Sequence, residues 1–355
     1  MSEAVIFANS NLFDAVQVIE TNEKRIAIVL DQNGKLVGTL TDGDIRRHLL
    51  NNGSLDASVV SAMNPNPVKA DVNSSKSYIL DLMKTNNIRA VPLVGPRDTF
   101  MRVVEIKELV SKDIQEPPFN GFEVAVIMAG GEGMRLRPIT ETIPKPMVKI
   151  DGIPLLERQI HRLKKIGVSR IYLSVNYLSK VIENHFGDGK KFGIEISYLK
   201  ENRKLGTAGA LYLLKENFNK PILVMNGDIL TTSDFNNLYN FHFDHDACIT
   251  AAAIHYLVDI PYGVFEASQA IVHRIDEKPS QQFLCNAGIY AVSPEIVADL
   301  CDETALSMPD LIEKCLQENK TVVVFPVHEY WTDIGTPEDL DKAQEDFFNI
   351  AKHYD

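Results

Sequence analysis

The feature that most constrains this chain is a short apolar run that ends in a glycine-rich loop. Residues 124–129 are small or branched and apolar, and three glycines follow closely, at Gly130, Gly131 and Gly133. Such a run predicts a buried strand. Glycines without a Cβ let the backbone approach an anion, and successive N–H groups in such a turn point at it. The stretch therefore predicts a strand that opens into a loop of a size suited to a phosphate group.

Two better-known glycine loops fit this stretch poorly. The dinucleotide fingerprint G-x-G-x-x-G matches Gly131 and Gly133, but Leu136 stands where the third glycine belongs. The Walker pattern requires Gly-Lys-Ser/Thr after four residues, and this stretch does not supply it. A glycine turn after a strand can also be purely structural. The basic side chains of Arg135 and Lys145 nevertheless favour an anionic ligand, because they add full positive charges.

The same residues resemble the sugar-phosphate nucleotidyltransferase family, whose signature is G-G-x-G-x-R-L-x-P-(L/I)-T followed by P-K-P. In this chain the signature reads GGEGMRLRPIT at residues 130–140 and PKPM at residues 144–147. The resemblance extends over about residues 124–340, and the chain looks most like mannose-1-phosphate guanylyltransferases. It implies an α/β, Rossmann-like domain of the glycosyltransferase-A type. The alternation of strands and helices predicts the same mostly parallel sheet, with ligands at the carboxyl ends of its strands.

Two aspartates stand near the ends of apolar runs. Asp228 follows residues 222–225, and Asp333 follows residues 322–325 and a turn. A carboxylate at the end of a buried strand is costly unless it faces solvent or a cation. The resemblance implies that Asp228 and Asp333 are ligands of Mg²⁺, which prefers carboxylate, phosphate and water oxygens. A capping or turn role is the alternative for either residue.

The resemblance implies roles for further positions. It implies catalytic roles for Arg135, Lys145 and Lys278. It implies contacts to the nucleotide from Ala129, Gly130, Gly131, Gly133, Met134, Glu201, Gly206 and Thr207. It implies contacts to the sugar from Tyr262, Gly263, Glu277, Asn286 and Gly288. Close packing of a helix on the sheet is the alternative explanation for the glycines at residues 206–209.

The implied reaction is attack of a sugar 1-phosphate oxygen on the α-phosphorus of a nucleoside triphosphate, which yields a nucleotide sugar and pyrophosphate. The form LGTAGAL at residues 205–211 looks most like that of guanylyltransferases, so GTP is the expected donor. We expect the product to serve surface glycan or nonulosonate synthesis, and we expect a homo-oligomer of at least two chains. Uridylyl or thymidylyl transfer and a non-catalytic nucleotide-sensing role are the alternatives.

The first part of the chain contains two similar repeats about 60 residues apart. In the first repeat the apolar spacing predicts a helix over residues 12–19 and a strand over residues 26–30. The repeats resemble a tandem pair of cystathionine-β-synthase-type (CBS) domains, at about residues 1–62 and 63–116. Such pairs often bind adenine nucleotides.

The first repeat also carries the residues of a ligand-binding segment. Gly38, Thr41 and Asp44 stand in the positions of the G-x-x-T/S-x-x-D pattern of CBS domains. The resemblance implies that Thr41 faces the phosphate and Asp44 the ribose hydroxyls of an adenine nucleotide. The second repeat has no matching threonine and aspartate at residues 103–107. Thr41 and Asp44 could instead cap the helix that follows, because caps favour the same residue types.

These patterns predict an order of domains. Residues 1–116 form the CBS pair, residues 117–122 the linker and residues 123–355 the catalytic domain, with prolines and a glycine marking the connection at residues 111–121. Within the catalytic domain we predict a helix over residues 208–216.

Composition excludes several other classes of protein. The chain has 355 residues, enough for two domains, and a formal net charge of −12, which argues against nucleic acid as a partner. It has no apolar run near the ~18 residues of a membrane span and no secretory leader, so we expect a cytoplasmic protein. Its four cysteines form no metal-binding pattern, which favours reduced thiols over a structural zinc site.

Overall fold

The computed structural model describes residues 4–22, 24–51, 53–86, 88–109, 121–300 and 304–354. The chain divides into two compact units, Met1–Pro118 and Phe119–Asp355. Of the predicted linker at residues 117–122, only Gly121 and Phe122 lie within the described residues. Phe122 is buried in the second unit, where its ring centroid lies 5.0 Å from that of Tyr239.

The first unit uses one strand order twice. Its strands are β1 Val5–Phe7, β2 Ile26–Leu30, β3 Leu36–Thr41, β4 Ala70–Asp71, β5 Ala90–Val94 and β6 Phe100–Glu105. Its helices are α1 Leu12–Thr21, α2 Asp42–Leu50, α3 Lys76–Thr85 and α4 Ile106–Leu109. β2 pairs in parallel with β1 and antiparallel with β3, and β5 pairs in the same way with β4 and β6. The two repeats that the sequence predicts therefore share one topology.

The two repeats pack against each other within this unit. All five residues of β2 are buried. Ala27 and Val29 pack with α1, while Ile28 on the other face packs with Val94 of β5 and Val103 of β6. Because both faces of β2 are covered, the strand reads as an unbroken apolar run rather than an alternating one.

The second unit is larger and is built on one central sheet. Its strands are β7 Val124–Met128, β8 Lys149–Ile150, β9 Ile153–Pro154, β10 Arg170–Val175, β11 Glu195–Lys200, β12 Ile222–Asn226, β13 Ile229–Thr231, β14 Ile249–Asp259, β15 Val264–Ser268, β16 Ile271–Asp276, β17 Ser280–Val292, β18 Val322–Val327 and β19 Trp331–Asp333. Its helices are α5 Leu155–Lys165, α6 Ser179–Phe186, α7 Gly206–Gly209, α8 Phe235–Asp244, α9 Pro294–Ala298, α10 Met308–Gln317 and α11 Pro337–Ile350.

The central sheet has seven strands in the order β11-β10-β7-β12-β17-β14-β18. β7 lies between β10 and β12 and is parallel to both, and β11 and β18 are also parallel to their neighbours. Only β17 runs antiparallel to the strands beside it, β12 and β14. The predicted α/β fold with a mostly parallel sheet is therefore confirmed.

Helices cover both faces of this sheet. Along β7, Ala125 and Ile127 pack into a cluster with α5, α6 and α8, while Val124 and Val126 pack into a second cluster with α9 and α10. β7 is consequently buried on both sides, as its unbroken apolar run predicts. Its carboxyl end opens directly into the glycine loop.

The helix predicted over residues 208–216 is wrong in extent. The segment forms the single turn α7, continues as a 3₁₀ turn over Ala210–Leu213, and becomes extended at Leu214. The N–H groups of Ala208 and Gly209 both donate to the carbonyl oxygen of Leu306, at 2.9 Å each. Packing against this neighbouring segment, rather than helical periodicity, determines the local conformation.

None of the helices formed by the described residues is both long and apolar enough to cross a membrane.

Candidate active site

The glycine loop is shaped by one glycine and left open at another. Gly133 has a φ of +60°, and a Cβ there would lie 3.0 Å from both the Cβ of Lys145 and the Cγ2 of Thr140. The Thr140 hydroxyl donates to the Gly133 carbonyl oxygen at 2.7 Å. A Cβ on Gly131 would meet nothing within 4 Å. Gly133 is therefore required by the fold, whereas Gly131 faces open space beside the loop.

Lys145 is the buried cation of the site. Prolines flank it at the start of the 3₁₀ turn Lys145–Met147, and its side chain is 10% exposed. Its Nζ donates to Oδ2 of Asp228 and, at 3.3 Å, to Oδ1 of Asp333. The two prolines fix the backbone on either side, so the ammonium group reaches both carboxylates from one position.

A small two-stranded sheet brings the two aspartates together. β13 and β19 pair antiparallel with Ile229 opposite Asp333. The Ile334 N–H donates to the carbonyl oxygen of Asp228 at 3.0 Å. Asp228, which directly precedes β13, therefore lies next to Asp333 at the end of β19.

The two carboxylates repel each other. Burial, and after it the charge of Asp228, raises the pKa of Asp333, and the positive charges of Lys145 and Arg135 offset this only in part. Oδ1 of Asp228 is buried and has no hydrogen-bond partner among the described residues. The oxygens of these two groups thus retain capacity for a second cation beside Lys145.

Arg135 is a second cation near Asp333. Its Nη2 lies 3.3 Å from the position that a Cβ would take on Gly335, two residues after Asp333. A side chain at position 335 would therefore press against the guanidinium group. The glycine keeps Arg135 close enough to lower the pKa of Asp333.

A cavity of about 350 Å³ opens beside the glycine loop. Six residues predicted as site residues line it: Gly130, Gly131, Glu201, Gly206, Thr207 and Asp228. Five others that sequence reasoning missed line it too: Met128, Glu132, Asn176, Lys204 and Asn226. Met128, Asn176 and Asn226 lie at or just after the carboxyl ends of parallel strands, so the rule that ligands bind at this edge could have identified them.

Glu201 is held in the cavity wall by two hydrogen bonds. Its Oε1 accepts from the Ser174 hydroxyl, and its Oε2 accepts from the Leu205 N–H at 3.0 Å. A carboxylate oxygen can accept more than one hydrogen bond. Glu201 is therefore oriented and still able to accept hydrogen bonds from a ligand.

The glycines of α7 have a packing role. A Cβ on Gly206 would lie 2.6 Å from the carbonyl oxygen of Leu306, and one on Gly209 would lie 2.6 Å from that of Thr304. The Thr207 hydroxyl accepts from the N–H of Met308 at 2.9 Å, at the start of α10. The packing explanation thus accounts for both glycines, while Gly206 and Thr207 also reach the cavity wall.

The predicted sugar contacts lie on and around β17. Tyr262 is 74% exposed, and Glu277 and Lys278 are exposed in the turn between β16 and β17; none of the three lines the cavity. Gly263 lies beside Glu277, whose Oε2 is 3.0 Å from where a Cβ on Gly263 would stand.

Asn286 and Gly288 lie nearer to the cavity. The amide group of Asn286 donates to the Tyr290 hydroxyl at 2.7 Å and its oxygen accepts from the Gly288 N–H at 2.9 Å. A Cβ on Gly288 would meet the Asn226 side chain at 2.6 Å. Gly288 therefore leaves room for Asn226 in the cavity wall.

Two predicted residues, Ala129 and Met134, lie outside these groups. Ala129 is buried, and its N–H donates to the Ser174 carbonyl oxygen at 2.8 Å. Met134 is 62% exposed. His242 of α8 lies in the core, where its ring nitrogens contact the hydroxyls of Thr250 and Ser293.

In the first unit, Thr41 and Asp44 cap α2. The Thr41 N–H donates to Oδ2 of Asp44 at 2.8 Å and the Asp44 N–H donates to the Thr41 hydroxyl oxygen at 3.4 Å, which forms a capping box. The Thr41 hydroxyl also donates to Oδ2 of Asp44 at 2.7 Å. Arg47 forms an ion pair with Oδ1 of Asp44 at 2.5 Å. The two residues also line a cavity of about 590 Å³ between the repeats, together with the cations Lys24, Arg25 and Arg89. The capping role is thus present, next to a cavity of ligand size.

The comparisons with known proteins agree with this architecture. The sequence pattern of the family described as Nucleotidyl transferase matches residues 124–349. A CBS domain pattern matches residues 1–51. The chain therefore belongs to the nucleotidyl transferase family, and a CBS domain precedes its transferase domain.

Several relatives are similar over the transferase domain. Mannose-1-phosphate guanyltransferase of Kluyveromyces lactis is 37% identical over 228 residues, which cover 61% of this chain and 62% of that protein. Mannose-1-phosphate guanylyltransferase of Mycobacterium tuberculosis is 29% identical over 230 residues, which cover 62% of this chain and 64% of that protein. The chain thus spans less than two thirds of the length of these relatives.

A solved structure shares the fold of the same region. The crystal structure of HddC from Yersinia pseudotuberculosis is similar with a TM-score of 0.51 and 30% sequence identity, and the match covers 64% of this chain and all of that one.

Proposed function

We propose that this protein transfers GMP from GTP to a sugar 1-phosphate and releases pyrophosphate. The observation that carries the proposal is the convergence of Lys145 on Asp228 and Asp333 beside the glycine loop. This arrangement offers a buried ammonium group and two carboxylates beside a glycine loop that is open at Gly131. The bond formed joins a sugar phosphate oxygen to the α-phosphorus, and the bond broken releases the β- and γ-phosphates together.

No side chain needs to act as a general base in this reaction. A phosphate monoester is already an anionic nucleophile at neutral pH, so catalysis consists of positioning and charge neutralisation. In our proposal the loop at Gly130 and Gly131 and the side chain of Arg135 hold the triphosphate. Lys145 neutralises charge that builds up during transfer, and Lys278 aligns the sugar phosphate.

We further propose that Asp228 and Asp333 hold Mg²⁺. The unpartnered oxygen of Asp228 and the mutual repulsion of the two carboxylates support a cation here, and oxygen donors suit Mg²⁺. When bound, Mg²⁺ supplies a positive charge that binds phosphate oxygens and offsets the negative charge on them.

The preference for guanine rests on Glu201 and on the relatives. Guanine presents two adjacent donors, N1–H and the N2 amino group, and a carboxylate is an acceptor without donors. Uracil and thymine present one N–H between two carbonyl oxygens, which a carboxylate would repel. The names of the similar enzymes, mannose-1-phosphate guanylyltransferases, point to the same base and suggest mannose 1-phosphate as the first sugar to test.

The test is a matrix of substrates. The full chain with Mg²⁺ is incubated with each of GTP, UTP, dTTP and ATP and with the 1-phosphates of mannose, glucosamine, N-acetylglucosamine, glucose and a heptose, and pyrophosphate release is measured. We expect release with GTP and one sugar. Release with UTP or dTTP in preference to GTP would refute the base assignment, and no release in any combination would favour the non-catalytic alternative.

A second proposal concerns the cavity in the first unit. We propose that it binds an adenine nucleotide, with Asp44 accepting from the ribose hydroxyls and Thr41 facing the phosphate. Its volume and its three cations, Lys24, Arg25 and Arg89, support an anionic ligand of this size. Thr41 contacts one oxygen of Asp44 and Arg47 contacts the other, and each oxygen retains a lone pair that can accept from a ribose hydroxyl. Calorimetry of the full chain with AMP, ADP and ATP tests this, and unchanged binding in Asp44→Ala would contradict it.

A further inference from the structure

An ion pair spans the two loops that line the nucleotide cavity. Nζ of Lys204 lies 2.7 Å from Oε1 of Glu132. Glu132 belongs to the glycine loop, and Lys204 belongs to the loop before α7. Both residues line the cavity of about 350 Å³, and Lys204 remains 77% exposed. The pair therefore connects two cavity walls that are far apart in sequence.

The charges around this cavity conflict with the ligand that it would take. Of the residues that line it, three are carboxylates, Glu132, Glu201 and Asp228, and Lys204 is the single cation. A nucleoside triphosphate carries several negative charges of its own. Asp228 already has Lys145, and Glu201 has Ser174 and the Leu205 N–H. Glu132 depends on Lys204, whose hydrogen bond and charge lower its pKa, with a smaller contribution from Arg137.

We propose that Glu132 and Lys204 form an electrostatic gate, in which Lys204 leaves Glu132 and contacts the bound nucleoside triphosphate. This inference rests on the proposed function, since it assigns the triphosphate to this cavity. Lys204 is suited to the exchange because its exposed four-carbon side chain can reorient at little cost. Glu132 competes with the ligand for the same ammonium group and repels the phosphates once that group has moved.

The gate makes a prediction that a merely structural ion pair does not. If the pair only joined the two loops, loss of either partner would weaken nucleotide binding in the same direction. If Lys204 serves the ligand, Lys204→Met weakens binding, whereas Glu132→Gln strengthens it because it releases Lys204 and removes a repelling charge. The two single variants therefore distinguish the alternatives by sign.

The experiment is calorimetry of Mg²⁺–GTP binding to the full chain and its variants at low and moderate salt. We expect the Kd of Lys204→Met to rise about three- to tenfold and that of Glu132→Gln to fall by a similar factor, within the range of partly screened charge pairs. Lys204→Arg should bind nearly as tightly as the unaltered protein. The double variant should bind more tightly than Lys204→Met, because the repelling charge of Glu132 is gone, but less tightly than Glu132→Gln, which keeps Lys204.

The matched control is a second exposed ion pair in the same unit. Lys220 lies 2.6 Å from Glu123, and neither residue lines the cavity. Lys220→Met and Glu123→Gln should leave the Kd unchanged. Shifts of the same sign in Lys204→Met and Glu132→Gln, or no shift in either, would overturn the gate.

Binding also separates the gate from the proposed reaction. Opposite shifts in a protein that binds GTP but forms no nucleotide sugar would support the gate and refute guanylyl transfer. A protein that does not bind GTP at all would overturn both.

Discussion

At the scale of single residues, Lys145 governs the charge balance of the site. Its ammonium group is shared by Asp228 and Asp333, whose carboxylates would otherwise face each other without compensation. Lys145 and Arg135 together offset the repulsion between the two carboxylates only in part, and a divalent cation would offset more of it.

The two aspartates should be needed for turnover but not for folding. Asp228→Asn and Asp333→Asn each remove a carboxylate charge but almost no volume, so we expect turnover to be abolished while the unfolding temperature changes little. Steady-state assays and thermal unfolding measure the two quantities. Near-normal Mg²⁺-dependent turnover in either variant would rule out the metal assignment.

Lys145 should act on the reaction more than on sugar binding. We expect Lys145→Ala to lower kcat by an amount equivalent to about 2–4 kcal/mol, as for the loss of a preorganised electrostatic donor. Kinetics with saturating GTP and varied sugar 1-phosphate give kcat and KM separately. If only the KM for the sugar rose, Lys145 would have to be reassigned to substrate binding.

At the scale of elements, the pair β13 and β19 explains what sequence patterns alone could not. The apolar run and the signature predict the glycine loop, and the strand ends predict aspartates at the carboxyl edge. Nothing in the local sequence predicts that Ile229 pairs opposite Asp333, because this register depends on strands that are distant along the chain. The same limit applies to α7, where contacts with Thr304 and Leu306 replace the helix that periodicity predicts.

The tyrosine at position 354 supports this small sheet. Its hydroxyl accepts from the Thr231 N–H at 2.9 Å and donates to the Thr231 carbonyl oxygen at 2.7 Å. Tyr354→Phe leaves a buried N–H without an acceptor, so we expect a loss of about 1–3 kcal/mol in stability. Because Thr231 belongs to the strand that begins after Asp228, we also expect a higher Mg²⁺ requirement.

A matched substitution elsewhere controls for this effect. Tyr198→Phe removes an exposed hydrogen bond to Gly187. This substitution should change neither the stability nor the Mg²⁺ requirement appreciably. Denaturant unfolding and Mg²⁺ titration of turnover apply to both variants. An unaltered Mg²⁺ requirement in Tyr354→Phe would show that Tyr354 does not position the aspartates.

The histidine of α8 should make the second unit sensitive to acid. Burial lowers the pKa of His242 to about 4, below its ordinary value of 6.5. The folded protein keeps His242 neutral, while the unfolded chain protonates it below pH 6.5. The contribution of His242 to the free energy of unfolding is therefore complete above pH 6.5 and is lost as pH falls toward 4. Acidification from pH 7 to pH 5 should lower the free energy of unfolding by about 2 kcal/mol through His242 alone.

Removal of the imidazole isolates that contribution. We expect His242→Gln to be less stable than the unaltered protein at pH 7 but to lose less stability on acidification, measured by urea unfolding at both pH values. Equal losses in the two proteins would mean that His242 does not remain neutral in the folded state.

At the scale of the whole molecule, the chain combines a transferase domain with a CBS domain, and the sequence predicts this order because each carries its own signature. A nucleotide bound in the first unit could alter turnover only by binding two arrangements of that unit unequally, with a typical coupling of ~1–3 kcal/mol. We expect an adenine nucleotide to change the rate of guanylyl transfer, and Asp44→Ala to reduce that change. Rates that no adenine nucleotide affects would argue for a role in assembly instead.

The measurement that tests the central claim most directly follows the α-phosphate of GTP. The full chain is given Mg²⁺, GTP labelled at the α-phosphate and the preferred sugar 1-phosphate, and the products are separated. We predict that the label appears in a GDP-sugar, in amounts equal to the unlabelled pyrophosphate released, and that Asp228→Asn forms neither product. Label recovered as GDP or GMP without a nucleotide sugar would contradict the account.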